Sequence, residues 1–156
     1  MRQSVYRLGN PSYIDRLDGE GAAKGGGRWK SVDQAIVYTA QTTSLAILEV
    51  LGHIKNTAFY LPNQLDVIEI DSSLCMDYTM FSPELPEGWA TKPGGEKIAK
   101  DIGTAWLSEV KAPYLKVPSV HNPLEHNYLL NPKHAEFEAK IDNKHWNLYH
   151  NRLIEK

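Results

Sequence analysis

Gly25-Gly26-Gly27-Arg28-Trp29, followed by Val37-Tyr38-Thr39-Ala40 and then by the apolar run Leu45-Ala46-Ile47-Leu48-Glu49-Val50-Leu51, is the stretch around which the rest of the chain is read. Three adjacent glycines lose more backbone freedom on folding than other residues would, and something must offset that cost. A main chain without Cβ atoms lets backbone N–H groups approach a ligand closely, and an arginine beside it can fork onto a phosphate or carboxylate. Ala35-Ile36-Val37-Tyr38-Thr39 reads as a buried strand, β-branched and aromatic. A short step then leads into a helix that Thr42, Thr43 or Ser44 can cap and that stops near Gly52. Because that helix is apolar almost all round, the pattern predicts that it is buried. Glu49 is its single acid, so its carboxylate must be paired, protonated or turned toward a cleft.

Working outward, Val5-Tyr6-Arg7-Leu8 reads as an opening strand ended by Gly9-Asn10-Pro11, and residues 15–27 as a loop leading into the glycines. Gln64 to Ile70 alternates polar with apolar residues, as an amphipathic strand does, until Ile68 breaks the alternation. Residues 81–95 hold three prolines and three glycines, a long loop expected to be more mobile than the helices beside it. A helix follows from about Glu96 to Val110, with Ile98, Ile102, Ala105, Trp106 and Leu107 as its core stripe and Gly103 allowing a close helix contact. Tyr114 to Ser119 is a strand stopped by Pro118, and Tyr128-Leu129-Leu130 a short strand cut by Asn131-Pro132. The charged tail from Ala135, with Phe137, Ile141, Trp146 and Leu148, reads as a strand or helix packed on the outside.

Composition bounds the function. A chain of 156 residues, 42% hydrophobic and 23% charged, suits one globular domain. It holds no apolar run long enough to span a bilayer, and Met1 to Val5 lack the apolar core of a signal peptide, so the chain reads as cytoplasmic with no membrane partner. Its net charge of -2 gives no basic stripe, so direct nucleic-acid binding is not expected. Cys75, the single cysteine, excludes an internal disulfide and reads as a small buried thiol rather than a nucleophile.

Six histidines, five of them in the last quarter, raise the question of a metal, but none shows His-Glu-x-x-His spacing and Pro123 interrupts His121 to His126. The expectation is no metal. His53 stands four residues after Glu49 and can either pair with it or end the helix. The chain lacks a Gly-x-Ser-x-Gly nucleophile elbow, and its glycine run precedes a strand, unlike either common phosphate-binding fingerprint.

Five separated segments carry a resemblance: Gly26-Gly27-Arg28-Trp29; Tyr38-Thr39-Ala40; Leu45-Ala46 with Glu49-Val50-Leu51 and His53; Pro118-Ser119; and Asn127 to Pro132 with His134. Together with Tyr6-Arg7-Leu8 and Gly103-Trp106-Leu107 they closely resemble the RES domain family over nearly the whole chain, residues 1–156. Lys30-Ser31-Val32-Asp33 departs from the Pro-Gly turn frequent in that family.

The resemblance implies a single α+β domain, similar to ADP-ribosyltransferases, with mixed or antiparallel sheets and packed helices. It implies a bacterial type II toxin whose active site is blocked by an Xre-like antitoxin, with a homodimer as the expected assembly. Such toxins take NAD as a substrate, with no cofactor, and deplete it by hydrolysis or phosphorolysis or transfer its ADP-ribose to a protein. Arg28, Tyr38, Glu49 and Ser119 match the family's active-site positions, and Gly26, Gly27 and Asn127 complete the expected NAD site.

Those residues suit the chemistry. Cleavage of the nicotinamide–ribose bond passes through an oxocarbenium-like state that a carboxylate stabilises, a role for Glu49. Arg28 is expected to pair with Glu49 across the cleft or to fork onto the pyrophosphate. Tyr38 offers a ring for nicotinamide to stack on, and Ser119 a hydroxyl for the carboxamide or a ribose. The contrasting expectation is a non-catalytic module that binds an antitoxin or ADP-ribose.

Overall fold

A computed structural model describes residues 1–9, 16–20, 27–31, 33–53, 64–79, 82 and 85–147, the side chains of 142–147 excepted. Gly25 and Gly26, parts of the 15–27 and 81–95 loops, and Leu148 lie outside the described residues.

Strands β1 (Arg2–Gly9), β2 (Val37–Ala40), β3 (Gln64–Asp71), β4 (Cys75–Asp77), β5 (Tyr114–Pro118), β6 (His126–Leu130) and β7 (Lys140–Asn147) form one sheet in the order β4-β5-β6-β2-β1-β3-β7. Every neighbouring pair is antiparallel except β4 with β5. Helices α1 (Thr43–His53) and α2 (Gly95–Glu109) complete an α+β domain. The tail is therefore a strand, β7, at the sheet edge beside β3.

Register decides which side chains meet. Val37 pairs with Leu130, Val5 with Ile68, and Tyr114 with Leu130, and these residues share one face whose core also holds Ile70 and Tyr128. The opposite face carries Leu115, Val117 and Leu129 beneath Trp29, Trp89 and Trp106, then Leu8, Ala40 and Leu65 beneath Leu45 and Ala46 of α1. Both helices thus cover one face of the sheet. Period-two alternation is what separates these two cores.

α1 begins as its sequence requires. The Thr42 hydroxyl accepts the Leu45 N–H at 3.0 Å, satisfying one of the donors a helix start leaves open. Its burial differs from the expectation: Leu45 and Ala46 are buried, but Leu48 is 39% exposed. An all-apolar helix laid on a sheet still has an outer side, and nothing among the described residues covers Leu48 fully.

In α2 the buried stripe is Gly95, Ala99, Gly103 and Trp106, flanked by Ile98 and Ile102, while Ala105 faces solvent instead of the core. The i, i+4, i+8, i+11 spacing of the four buried residues places them on one helical face. Gly103 allows the close contact its position suggests, since a Cβ there would stand 1.7 Å from the carbonyl oxygen of Trp29. The Trp106 indole is buried with its N–H donated to the Ala112 carbonyl at 3.0 Å.

Candidate active site

Gly27, Arg28, Trp29 and Lys30 form a tight turn closed by an isolated bridge between Gly27 and Lys30. Trp29 is driven into the core against Trp89, ring centroids 5.8 Å apart, and this fixes the turn over the sheet. The glycine has a specific reason: a Cβ on Gly27 would lie 2.4 Å from the Tyr38 hydroxyl. That hydroxyl accepts the Trp29 N–H at 3.3 Å. Burial pushes the Tyr38 phenol well above its ordinary pKa, opposed by the Trp29 N–H and reinforced by the charge of Glu49. Tyr38 therefore stays a protonated phenol throughout the physiological range.

Between this turn and α1 lies a cavity of about 410 Å³, lined by Tyr6, Gly27, Tyr38, Glu49, His53 and Asn127 among others. That volume is in the range of small-molecule sites. Glu49 stands on its wall, 22% exposed. Its Oε1 accepts two hydrogen bonds, from the Ser119 hydroxyl at 2.5 Å and from the Asn127 amide at 2.6 Å. Its Oε2 lies 3.8 Å from His121 Nε2.

Strand register brings these groups together. Asn127 in β6 lies opposite Ala40 of β2 and Val117 of β5, on the face that α1 covers. Ser119, just beyond β5, is fully buried, and its Oγ also accepts the backbone N–H groups of His121 at 3.1 Å and Asn122 at 3.2 Å. The hydroxyl proton is thus committed to Glu49. Ser119, expected to offer its hydroxyl to a ligand, directs it to Glu49 here and holds that carboxylate by Oε1, with Oε2 turned toward His121.

Arg28 departs from expectation. No ion pair joins it to Glu49 among the described residues. One of its terminal nitrogens donates to the Trp89 carbonyl, and its guanidinium lies 5.7 Å from the Trp89 ring centroid. Burial lowers its pKa, while the negative charges of Glu96 and then Glu49 work the other way. The arginine is a cation within the electrostatic reach of Glu49, tethered to the segment that precedes α2.

The structure therefore gathers Gly27, Tyr38, Glu49 and Asn127 on the lining of one cavity, with the buried Ser119 behind Glu49 and off that lining, and sets Arg28 to the side, while Gly26 lies outside the described residues. Reasoning from sequence missed His121 and Glu125, which the turn signals of Pro118 to Pro123 mark only as loop. It also left His53 without a role. His53 lines the cavity, its ring edge-on to His121 at 6.3 Å, and Gly52 allows that contact because a Cβ there would lie 2.2 Å from the His121 ring.

Two further chemistry-bearing side chains, His134 and Cys75, stand apart from the cavity lining. His134 is buried, accepting the Glu136 N–H at Nδ1, so its Nε2 donates to the Val110 carbonyl at 3.1 Å. Cys75 is half-buried, and burial pushes its thiol up to about 11, which suits an inert thiol. No helix among the described residues is long and apolar enough to cross a membrane.

The profile of the RES domain matches residues 4–151. This chain belongs to the RES domain family. It is 36% identical over 162 aligned positions to the Prs ADP-ribosylating toxin of Sphingobium sp. (strain YBL2), covering 100% of this chain and 99% of that protein. It is 39% identical to a Toxin Res of Yersinia enterocolitica, over 86% of this chain and 88% of that one. Among solved structures, the Mycobacterium tuberculosis MbcT–MbcA toxin–antitoxin complex contains a chain that superposes with a TM-score of 0.72. That match covers 95% of this RES chain and 85% of the other at 16% identity, a likeness of fold.

Proposed function

We propose that this RES domain is a toxin that cleaves the nicotinamide–ribose bond of NAD and so depletes it. The observation that carries the reading is the Glu49 carboxylate, pinned through Oε1 by Ser119 and Asn127 on the wall of a cavity of small-molecule size. As the C1′–N bond breaks, its electron pair leaves with nicotinamide as a neutral molecule and positive charge develops on the ribose ring. A carboxylate fixed beside that ring stabilises the charge without reorganising at the moment of reaction. Water or phosphate then adds to C1′ and loses a proton to solvent.

In this reading Tyr38, uncharged and facing the same cavity, stacks against nicotinamide. Gly27 lets the turn approach the substrate, and Arg28 moves from the Trp89 carbonyl onto the pyrophosphate. NAD serves as substrate, with no separate cofactor. An Xre-like antitoxin covers the cavity, a reading supported by the fold shared with a chain of a toxin–antitoxin complex, and the toxin acts as a cytoplasmic homodimer.

The test is incubation of the purified chain with NAD, with and without phosphate, and mass analysis of the products. Free nicotinamide with ADP-ribose, or with its 1-phosphate, is expected, and Glu49→Gln should lower the rate at least about 100-fold. Intact NAD after incubation with the folded parent chain would overturn the reading. A second reading, ADP-ribose transfer to a protein, is favoured by the full-length match to the Sphingobium toxin. It requires nicotinamide release that depends on an added acceptor protein and a matching mass increase on that protein.

A further inference from the structure

The segment from Ser119 to Glu125 is fastened to the start of α1 through the Glu125 side chain. Glu125 Oε1 accepts the Thr42 hydroxyl at 2.9 Å, and its Oε2 accepts the Asn122 side-chain amide at 2.9 Å. Thr42 is the residue that caps α1, and a carboxylate at a helix start also meets the positive end of the helix dipole. Within the segment, the Ser119 N–H donates to the Glu125 carbonyl at 2.9 Å and the Glu125 N–H to the Asn122 carbonyl at 2.9 Å. One step on, Gln41 and His126 are tied by a backbone bond at 2.9 Å and by the Gln41 side chain, which accepts the His126 N–H at 3.0 Å.

These bonds have one geometric product. They set the distance between α1, which carries Glu49, and the turn whose Asn122 and His121 N–H groups aim the Ser119 hydroxyl at Glu49. Glu125 itself lies off the cavity lining.

We propose that Glu125 is a positioning residue for the reaction: it clamps the β5–β6 turn to the N-terminus of α1 and thereby holds Ser119 against Glu49. The kinetic part rests on the NAD reading above; the structural part stands without it. Removing the carboxylate frees both Thr42 and Asn122, so the Ser119 hydroxyl no longer has a fixed direction and Glu49 gains rotamer freedom. A displacement of about 1 Å at a reacting group costs up to about 100-fold in rate. Substrate contacts are untouched, so the loss falls on kcat.

The experiment compares Glu125→Ala and Glu125→Gln with the parent in the full chain. Glu125→Ala should lower kcat for nicotinamide release by about 10- to 100-fold with KM within about twofold. Glu125→Gln should recover most of it, because its carbonyl can accept from Thr42 while its amide donates to a reversed Asn122 amide. In a Glu49→Gln background Glu125→Ala should cause no further loss.

Independently of any turnover, amide hydrogen exchange at His121 and Asn122 should speed up in Glu125→Ala while the β2–β6 amides keep their protection. Should Glu125→Ala fail to fold, Asn122→Ala, which removes one of the two contacts, is read the same way. Parent-like kcat in the alanine variant, an equal loss in the Glu49→Gln background, or unchanged exchange at His121 and Asn122 would each overturn the clamp. If the parent chain leaves NAD intact, the NAD reading fails and the exchange result alone decides the clamp.

Discussion

Ser119→Ala removes one oxygen that serves three partners. The hydroxyl donates to the Glu49 carboxylate at 2.5 Å and accepts two backbone N–H groups at 3.1 and 3.2 Å. A hydrogen bond to a charged group contributes about 1.5–3 kcal/mol, and each stranded backbone donor costs about 1–3 kcal/mol when water cannot reach it. Ser119 is fully buried, but the side chains of Glu49 and His121 are 22% and 28% exposed and Asn122 is only half-buried, so water recovers part of the loss. The sum to expect is about 2–4 kcal/mol. With a urea slope of about 2 kcal/mol per molar, the unfolding midpoint should fall by about 1–2 M. Equilibrium urea unfolding followed by tryptophan fluorescence measures this. A midpoint within about 0.2 M of the parent would mean that the three bonds contribute nothing net, and the account of Glu49 as a carboxylate pinned by Ser119 would be wrong.

Gly103→Ala sets two effects against each other: alanine favours a helix by about 1 kcal/mol over glycine, but the new Cβ would sit 1.7 Å from the Trp29 carbonyl oxygen. The three atoms it would meet are all backbone of Trp29 and cannot rotate away, so a net loss of about 2 kcal/mol or more is expected, a drop of at least about 4–8 °C in the melting temperature; an unchanged or higher value would refute the close approach. Cys75, whose thiol is pushed up to about 11 by burial, should react slowly with iodoacetamide at pH 8 in the folded chain and rapidly after denaturation. Because its folded pKa is raised, its contribution to stability is complete below the unfolded value of about 8.5 and is lost as pH rises from there toward 11. Rapid labelling of the native chain at pH 8 would contradict this.

What the sequence made legible follows the range of the forces involved. β1, β2, β3 and both helices announce themselves through spacing within a single window, whereas residue type narrowed the cap only to Thr42, Thr43 or Ser44 and the structure selects Thr42. The burial of α1 was misjudged because an apolar composition says that a helix can be covered on every side, and only the sheet decides which sides are; Leu48 was left outside. Arg28 was expected on Glu49, but its direction is set by the Trp89 carbonyl 61 residues further along. The three tryptophans that place that carbonyl come from three separate segments, and no local pattern could bring them together.

The site shows the same limit more sharply. Glu49 was legible as an acid on an apolar helix, yet its two donors come from residues 70 and 78 positions away, so the resemblance could name Ser119 and Asn127 but not say what they hold. Register supplies the missing step. Asn127 faces Glu49 because β6 pairs Asn127 with Ala40 and Leu129 with Tyr38, both of which line the cavity. A slip of one residue would turn Asn127 away, bring Tyr128 out of the opposite core and expose Leu130, so every buried contact of β6 opposes it. Glu49 is thus oriented by the packing that keeps the sheet in register. Substitutions deep in the β6 face, such as at Tyr128 or Leu130, can therefore disturb the carboxylate without touching the cavity.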